Sequence, residues 1–385
     1  MCYFTRLGSK CPTDALENKM KYRFVYLLIT LFALSVSRTS QAVVVEDLFT
    51  IEMAVADQTT SVRLEAFGEA FKLVVIKVSG SDDALKSPAF SRPMQNSARY
   101  VKQFRYINRK DENSEGFDSG QLFLKINFNQ RLVEGLLREN NFPVWGRERP
   151  GSLLVVSYDV NEKIRLVSGE TTPEIVDLLD KSAVKLGVPV LFPLMDLEDI
   201  ALVNIGDIVS RQYENIDILA DRYGPDALVI GQIVGRSGRG WHGDWEVRFA
   251  EQVFRWKFKA SSKQEVVDQA IRHLARVLAL EYALEDHRRV DEALLMSVSA
   301  MPKFNQLIAV QRYLESLSVV DSVRIALISD DVVTFKLKLR NDAEDLQRLI
   351  ELGEVLEQLD LPQINAQDDS QVILNYLYVD RGVSN

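Results

Sequence analysis

Three carboxylates crowd into the stretch VLFPLMDLEDIALV (residues 190–203): Asp196, Glu198 and Asp199. A pair of carboxylates can divide general acid and general base roles, provided a cleft raises the pKa of one member. The same spacing serves a simpler purpose. Asp196 stands where a helix N-cap would, so its side chain can accept from the amide of Asp199, three residues on. Glu198 and Asp199 then fall in the first helical turn, where the helix dipole favours negative charge. Pro193 ahead of the cap keeps the chain from entering the helix early. Capping accounts for all three acids without a cleft, so a helix cap is the expectation and an acidic site the alternative. Asp207, further along, adds no metal-like spacing.

The remaining chemistry-bearing residues are sparse. GRSGRG (235–240) follows a strand pattern, as a phosphate loop would. It lacks the Lys-Ser/Thr of a P-loop and the G-x-G-x-x-G spacing, and a second strand pattern follows it, so it reads as a hairpin loop. His242, His273 and His287 are scattered, with His242 placed in a turn. None forms a pair at ligand spacing. VSGSD (78–82) has no histidine near it and is no G-x-S-x-G elbow. Alternation points Trp245 and Trp256 into a core face. Trp241, beside glycines, is the one tryptophan retained as a contact residue. The pattern assigns no catalytic residue, no metal ligand and no cofactor.

Stepping outward, periodicity supplies the elements that hold these residues. Residues 43–55 have the β-branched bias of one strand. A helix follows over 59–78, with Val62, Ala66, Phe67, Ala70, Phe71, Val74 and Val78 on one stripe. A short helix near 93–101, strands near 102–108 and 121–128 around the polar loop DENSEGFDSG, and a helix over 130–140 complete an N-terminal α/β domain, 43–150. A central α/β domain, 151–285, opens on the strand SLLVVSYDV. It continues with a helix over 173–186 started by Thr172-Pro173, the acidic stretch, and a helix–turn–buried strand in ENIDILADRYGPDALVIGQIV. A hairpin pairing Trp245, Val247 and Phe249 with Phe254, Trp256 and Phe258, and a helix over 263–284, close it. The last domain, 286–385, reads as strand 293–299, helix 302–316, strands 319–328 and 331–340, helix 343–359 and strand 371–379. That is the ferredoxin-like order β-α-β-β-α-β. The fold class is mixed α/β, built as several small α/β sandwich domains.

The first 42 residues address the compartment. Lys21 and Arg23 precede an apolar run, Phe24–Val36, and Ser40 and Ala42 take the −3 and −1 positions of a cleavage site. This pattern predicts a cleavable signal peptide ending at about Ala42 and a periplasmic protein with no stable membrane insertion. The alternative is an uncleaved segment anchored to the inner membrane, although the run falls short of the roughly 20 residues a span needs. Residues 1–19 resemble neither signal nor fold, and Met20 is the expected start. Cys2 and Cys11 both lie in this leader, so Val43–Asn385 has no disulfide framework or thiolate chemistry. Removing the leader takes away six Lys/Arg and two Asp/Glu, moving the formal charge from −9 to −13. Such a chain repels nucleic acid and anionic lipid headgroups unless a local basic patch overrides the mean. The basic-aromatic stretch RYVKQFRYINRK (99–110) reads as a strand with one solvated face.

KVSGSDDAL, YVKQFRY, FPVWGRERP, GVPVLFPLMDLED and YGPDALVIGQI together resemble domain-of-unknown-function family 2066, over roughly 45–285, with PLMDLED the most specific element. The resemblance implies a Gram-negative exported protein and transfers no catalytic residue. The expectation is a non-enzymatic periplasmic binding or assembly module with an envelope protein partner. The alternatives are a cell-wall-directed hydrolase using the 196–199 carboxylates, or a small-ligand carrier with its pocket beside the strand at 226–234.

Overall fold

The computed structural model describes residues 43–45, 47–110, 120–236, 238–249, 252–283, 293–353, 355–359 and 373–379. The leader, most of the DENSEGFDSG loop and His287 lie outside them. The class is mixed α/β, with several sheets of mixed or antiparallel strands.

The stretch 43–55, expected as one strand, is two. β1 (Val43–Val44) pairs antiparallel with a distant segment, a turn intervenes at Asp47–Phe49, and β2 is Thr50–Ala54. Leu48 and Phe49 in that turn are buried, so their apolar character reports packing and not strand. α1 (Thr60–Ser79) lays Ala66, Phe67, Ala70, Phe71, Val74, Val75 and Val78 into the core. Gly80 ends it with φ +74°, and a Cβ there would sit 2.2 Å from Ala279, so both backbone and neighbour demand glycine. α2 (Asp83–Lys86), α3 (Ser91–Gln95) and two short 3₁₀ turns lead to β3 (Val101–Lys110), β4 (Gly120–Phe128) and α4 (Gln130–Glu139). The three-stranded sheet runs β2-β4-β3, antiparallel throughout, with α1 across one face.

β5 (Glu148–Arg149) is the partner of β1. β6 (Ser152–Val160) is buried on both faces and pairs with β7 (Lys163–Leu166), a strand the sequence reading left out. α5 (Pro173–Leu186), β8 (Val190–Leu191), α6 (Leu197–Leu202), α7 (Ile205–Ser210), α8 (Glu214–Tyr223), β9 (Ala227–Arg236), β10 (Gly240–Phe249), β11 (Gln252–Ala260) and α9 (Lys263–Tyr282) follow. The sheet order is β11-β10-β9-β6-β7, with β8 added beside β6. β6 runs parallel to both β8 and β9, while β9, β10 and β11 form an antiparallel meander. Leu154 and Val156 face α5 and α9, and Leu153 and Val155 face α7 and α8. A strand covered on both sides loses its polar alternation, which is why SLLVVSYDV is almost continuously apolar.

β12 (Leu294–Ser299), α10 (Phe304–Ser316), β13 (Val320–Ser329), β14 (Val332–Leu339) and α11 (Ala343–Leu352) keep the expected order. The helix expected to reach 359 stops at Leu352, and β15 (Leu356–Gln358) intervenes before β16 (Ile373–Tyr378). A Cβ at Gly353 would meet the Tyr313 hydroxyl at 2.1 Å, so the chain turns there. The sheet order β13-β14-β12-β16-β15 is ferredoxin-like with one strand added. Because β15 takes the return stroke, β16 runs parallel to β12.

Candidate functional site

Asp196 is the N-cap of α6. Its Oδ1 accepts from the amides of Glu198 (3.1 Å) and Asp199 (3.0 Å). The preceding Met195 takes φ +55°, a left-handed conformation that its amide helps hold by donating to Asp199 Oδ2 at 2.9 Å. Asp199 is fully buried. The rest of the arrangement comes from α8, beyond reach of local sequence reading. Arg222 grips Asp196 with both terminal nitrogens, Nη1 to Oδ1 at 2.8 Å and Nη2 to Oδ2 at 2.5 Å, and also pairs with Asp199 Oδ1. Tyr223 donates to Asp199 Oδ2 at 2.5 Å and accepts from the Leu194 amide at 2.8 Å. Glu198 stays exposed, 3.7 Å from Arg222.

Every acid here is spoken for. The Arg222 guanidinium and the two helix amides hold the Asp196 carboxyl well below the usual carboxylate range. A general acid requires a shift in the opposite direction. The stretch acts as a cap joined to a latch, tying the loop before α6 to the end of α8. Its solvent side carries Leu194, Leu197 and Ile200, with Leu197 89 % exposed.

Trp241 lies within β10 and not in a loop, stacked on Tyr158 at 6.1 Å and 12°. Gly235 opposite leaves the room, since a Cβ there would approach the indole to 2.8 Å. Gly231 and Gly243 do the same for the buried Trp245, and Trp245 pairs with Trp256 across the hairpin. The glycines of GRSGRG close the hairpin, with Gly238 and Gly240 at φ +71° and +78°. His242 is an exposed strand residue and not a turn residue. His273, on α9, stacks on Trp256 and Phe258, and burial pushes its pKa down. Among the described residues no group of His, Cys, Asp or Glu could hold a metal ion, and no helix is long and apolar enough to cross a membrane. Beside β9 the space comes to about 10 Å³, lined by Ile208, Tyr213, Gln232 and Trp245. That is room for about one water and not for a carried ligand.

What the sequence reading missed is a set of buried charges at the joint between the sheets. Arg149, on β5, has no exposed surface and, among the described residues, no carboxylate partner. Its five N–H groups donate to the carbonyls of Gly146 (2.9 Å), Leu186 (3.1 Å), Gly187 (2.8 Å), Lys77 (2.6 Å) and Trp145 (3.1 Å). Lys77 and Leu186 sit at the C-terminal ends of α1 and α5, where the helix dipoles are negative and offset the buried cation. Burial lowers the Arg149 pKa to about 9. Lys77 is buried beside it, donates to the Asp47 carbonyl at 3.1 Å, and is lowered to about 8 by burial and then by Arg149. Glu148 is buried too, its Oε2 without a partner, and desolvation raises it to about 7 against the pull of Arg147. The sequence signal for this set is the charged run RERP at the boundary between the first two domains.

Comparison with known proteins identifies one segment. Residues 42–146 match the model of DUF8605, a domain of unknown function. The resemblance to family 2066 is thereby corrected: the match is to a different family. PLMDLED, the most specific element of that resemblance, lies outside the matched residues, as does YGPDALVIGQI, and the cap, the latch and room for tryptophans account for both. No curated protein matches the sequence. Among solved structures, an uncharacterised protein is 11 % identical over 34 % of this chain and 91 % of its own, at a TM-score of 0.15. Prolyl-tRNA synthetase from Cryptosporidium parvum, complexed with L-proline and AMP, is 10 % identical over 60 % of this chain and 50 % of its own, at a TM-score of 0.17. At such TM-scores neither likeness bears on fold or function.

Proposed function

We propose that this is an exported, periplasmic binding or assembly module of a Gram-negative cell envelope, and that it engages its protein partner by strand addition. The observation that supports this reading is the edge strand β13. It is ten residues long, pairs among the described residues only with β14, and leaves Leu327 60 % and Ile328 58 % exposed. Long apolar edges template added strands, and proteins that avoid this guard the edge with charge. β11, the edge of the six-stranded sheet, is guarded in that way by Arg255, Lys257 and Lys259. β13 is charged only at Asp321 and Arg324, and carries no charge from Ile325 to Ser329. Arg324 stands opposite Lys336 on β14, with Lys338 beside them. The partner strand that fits alternates apolar residues with acidic ones. Export itself rests on the charged, apolar and small-residue pattern of residues 21–42.

The test is a photo-crosslinker placed in cells at Leu327, with Lys257 on β11 as the control position, followed by mass spectrometry. A reproducible envelope protein joined at Leu327 and not at Lys257 is the expected outcome. Recovery of the uncrosslinked protein alone, or a cytoplasmic location on fractionation, overturns the reading.

A further inference from the structure

A cleft of about 800 Å³ opens between the three-stranded sheet and the start of β13. Its walls come from the turn before β2, from β3, from the junction of β4 and α4, and from the segment joining α10 to β13. That volume lies within the range of small-molecule sites, which favour such joints between packed units.

The charges on its walls are unequal in how far they are used. Each acid has a partner. Asp321 holds Arg340 at 2.8 Å, Glu134 holds Arg138 at 2.8 Å, Glu315 accepts from Gln311 at 2.9 Å, and Asp47 lies 3.7 Å from Lys125. Lys102, Arg131 and Arg147 also line the cleft; none makes a side-chain hydrogen bond or an ion pair within 4 Å among the described residues, although Arg147 attracts the buried Glu148. The Nε of Arg147 is buried without an acceptor. Gln130 and Arg131 are the first residues of α4; Asn129 Oδ1 already accepts from the Leu132 amide at 3.3 Å, which leaves the amides of Gln130 and Arg131 without an acceptor in the helix. Ser318, on the same wall, is 8 % exposed, and its Oγ is unpartnered. A buried hydroxyl and a buried guanidinium nitrogen without partners are costly unless a further group completes them.

We infer that this cleft is a binding site for a phosphate-bearing ligand, held by Lys102, Arg131 and Arg147 with the amides at the head of α4. Phosphate supplies several acceptor oxygens and matches both guanidinium forks and helix N-termini. The cleft lining holds four carboxylates and four basic residues, so its attraction for an anion rests on the donors left without acceptors and not on net charge. The phosphate can belong to a soluble molecule or to a lipid headgroup.

The experiment is calorimetric titration of the purified protein with inorganic pyrophosphate, at ionic strength held constant with sodium chloride. Saturable one-to-one binding is expected, weakened tenfold or more in Lys102→Gln/Arg131→Gln and within twofold of wild type in Lys257→Gln. Both cleft cations are on the surface, so that variant folds, and an unchanged melting temperature verifies it. Absence of saturable binding overturns the inference, as does equal binding by the double variant or stronger binding of citrate than of pyrophosphate. Co-sedimentation with phosphatidylglycerol vesicles, compared with phosphatidylcholine vesicles, assigns the source. Loss of vesicle binding in the double variant points to a headgroup, and pyrophosphate binding without vesicle binding to a soluble phosphate.

Discussion

Replacing Glu148 with Gln should make the protein more stable at pH 8 and leave it nearly unchanged at pH 4.5. The carboxyl is 3 % exposed, and its Oε2 finds no donor. The buried Tyr313 hydroxyl, also unpartnered, has its pKa raised by burial and then by the Glu148 charge. Burial lifts Glu148 from 4.5 to about 7, so the folded state holds its proton more tightly than the unfolded chain does. The stability this contributes is fully present below the unfolded value and is lost as pH rises through about 7. The loss amounts to about 3 kcal/mol, at 1.36 kcal/mol for each tenfold change in proton affinity. Gln carries no charge at any pH and is nearly the same shape. Urea unfolding followed by tryptophan fluorescence, run on both proteins at pH 4.5, 5.5, 6.5 and 8, reads the difference directly. Any constant cost of the Gln amide cancels when the differences are compared across pH. A difference that does not change between pH 4.5 and 8 would refute the argument that desolvation of Glu148 outweighs the pull of Arg147.

Three other outcomes are expected. Asp199→Asn, which removes the charge from a fully buried carboxylate with three donors, should cost about 3 kcal/mol in the same unfolding assay, more than Asp196→Asn does. Gly231→Ala should cost about 2 kcal/mol, because the new Cβ would stand 2.3 Å from Trp245; an unchanged melting temperature would show that the indole can move aside. Lys77 has its pKa lowered from 10.5 to about 8, so stability should rise by about 3 kcal/mol between pH 8 and 10.5, and Lys77→Met should abolish that rise.

Most of the elements could be read from periodicity because local patterning and tertiary packing agree. The α1 stripe at spacings of three and four is the face that meets the sheet, and Trp245, Val247 and Phe249 alternate as β10 does. Errors arose where an apolar run has two structural meanings. Leu48 and Phe49 are buried in a turn, and Val355 and Leu356 continue a helical period but belong to the approach and start of β15. In the acidic stretch, the cap was legible because Asp196 and Asp199 are three residues apart. Its Arg222 and Tyr223 partners were not, because they come from α8, 26 and 23 or 24 residues further on. The three cleft cations come from β3, α4 and the approach to β5, so no window of sequence contains them together.

The same reasoning explains why the joint between the sheets left so faint a trace. A cation compensated by carboxylates shows in sequence as complementary charges, but Arg149 is compensated by backbone carbonyls, which every residue carries. Its position is fixed by geometry alone: two helices, α1 and α5, end at Gly80 and Gly187 so that their terminal carbonyls converge on one guanidinium. Gly187 cannot gain a side chain there, since a Cβ would lie 2.9 Å from both Arg149 and Lys77. Glu148, next to Arg149 in the chain, and Lys77, buried beside it, have shifts of opposite sign. Glu148 has lost its favourable protonated state above pH 7, and Lys77 has not yet shed its proton below pH 8. Their combined cost is therefore greatest between those values, close to neutral pH.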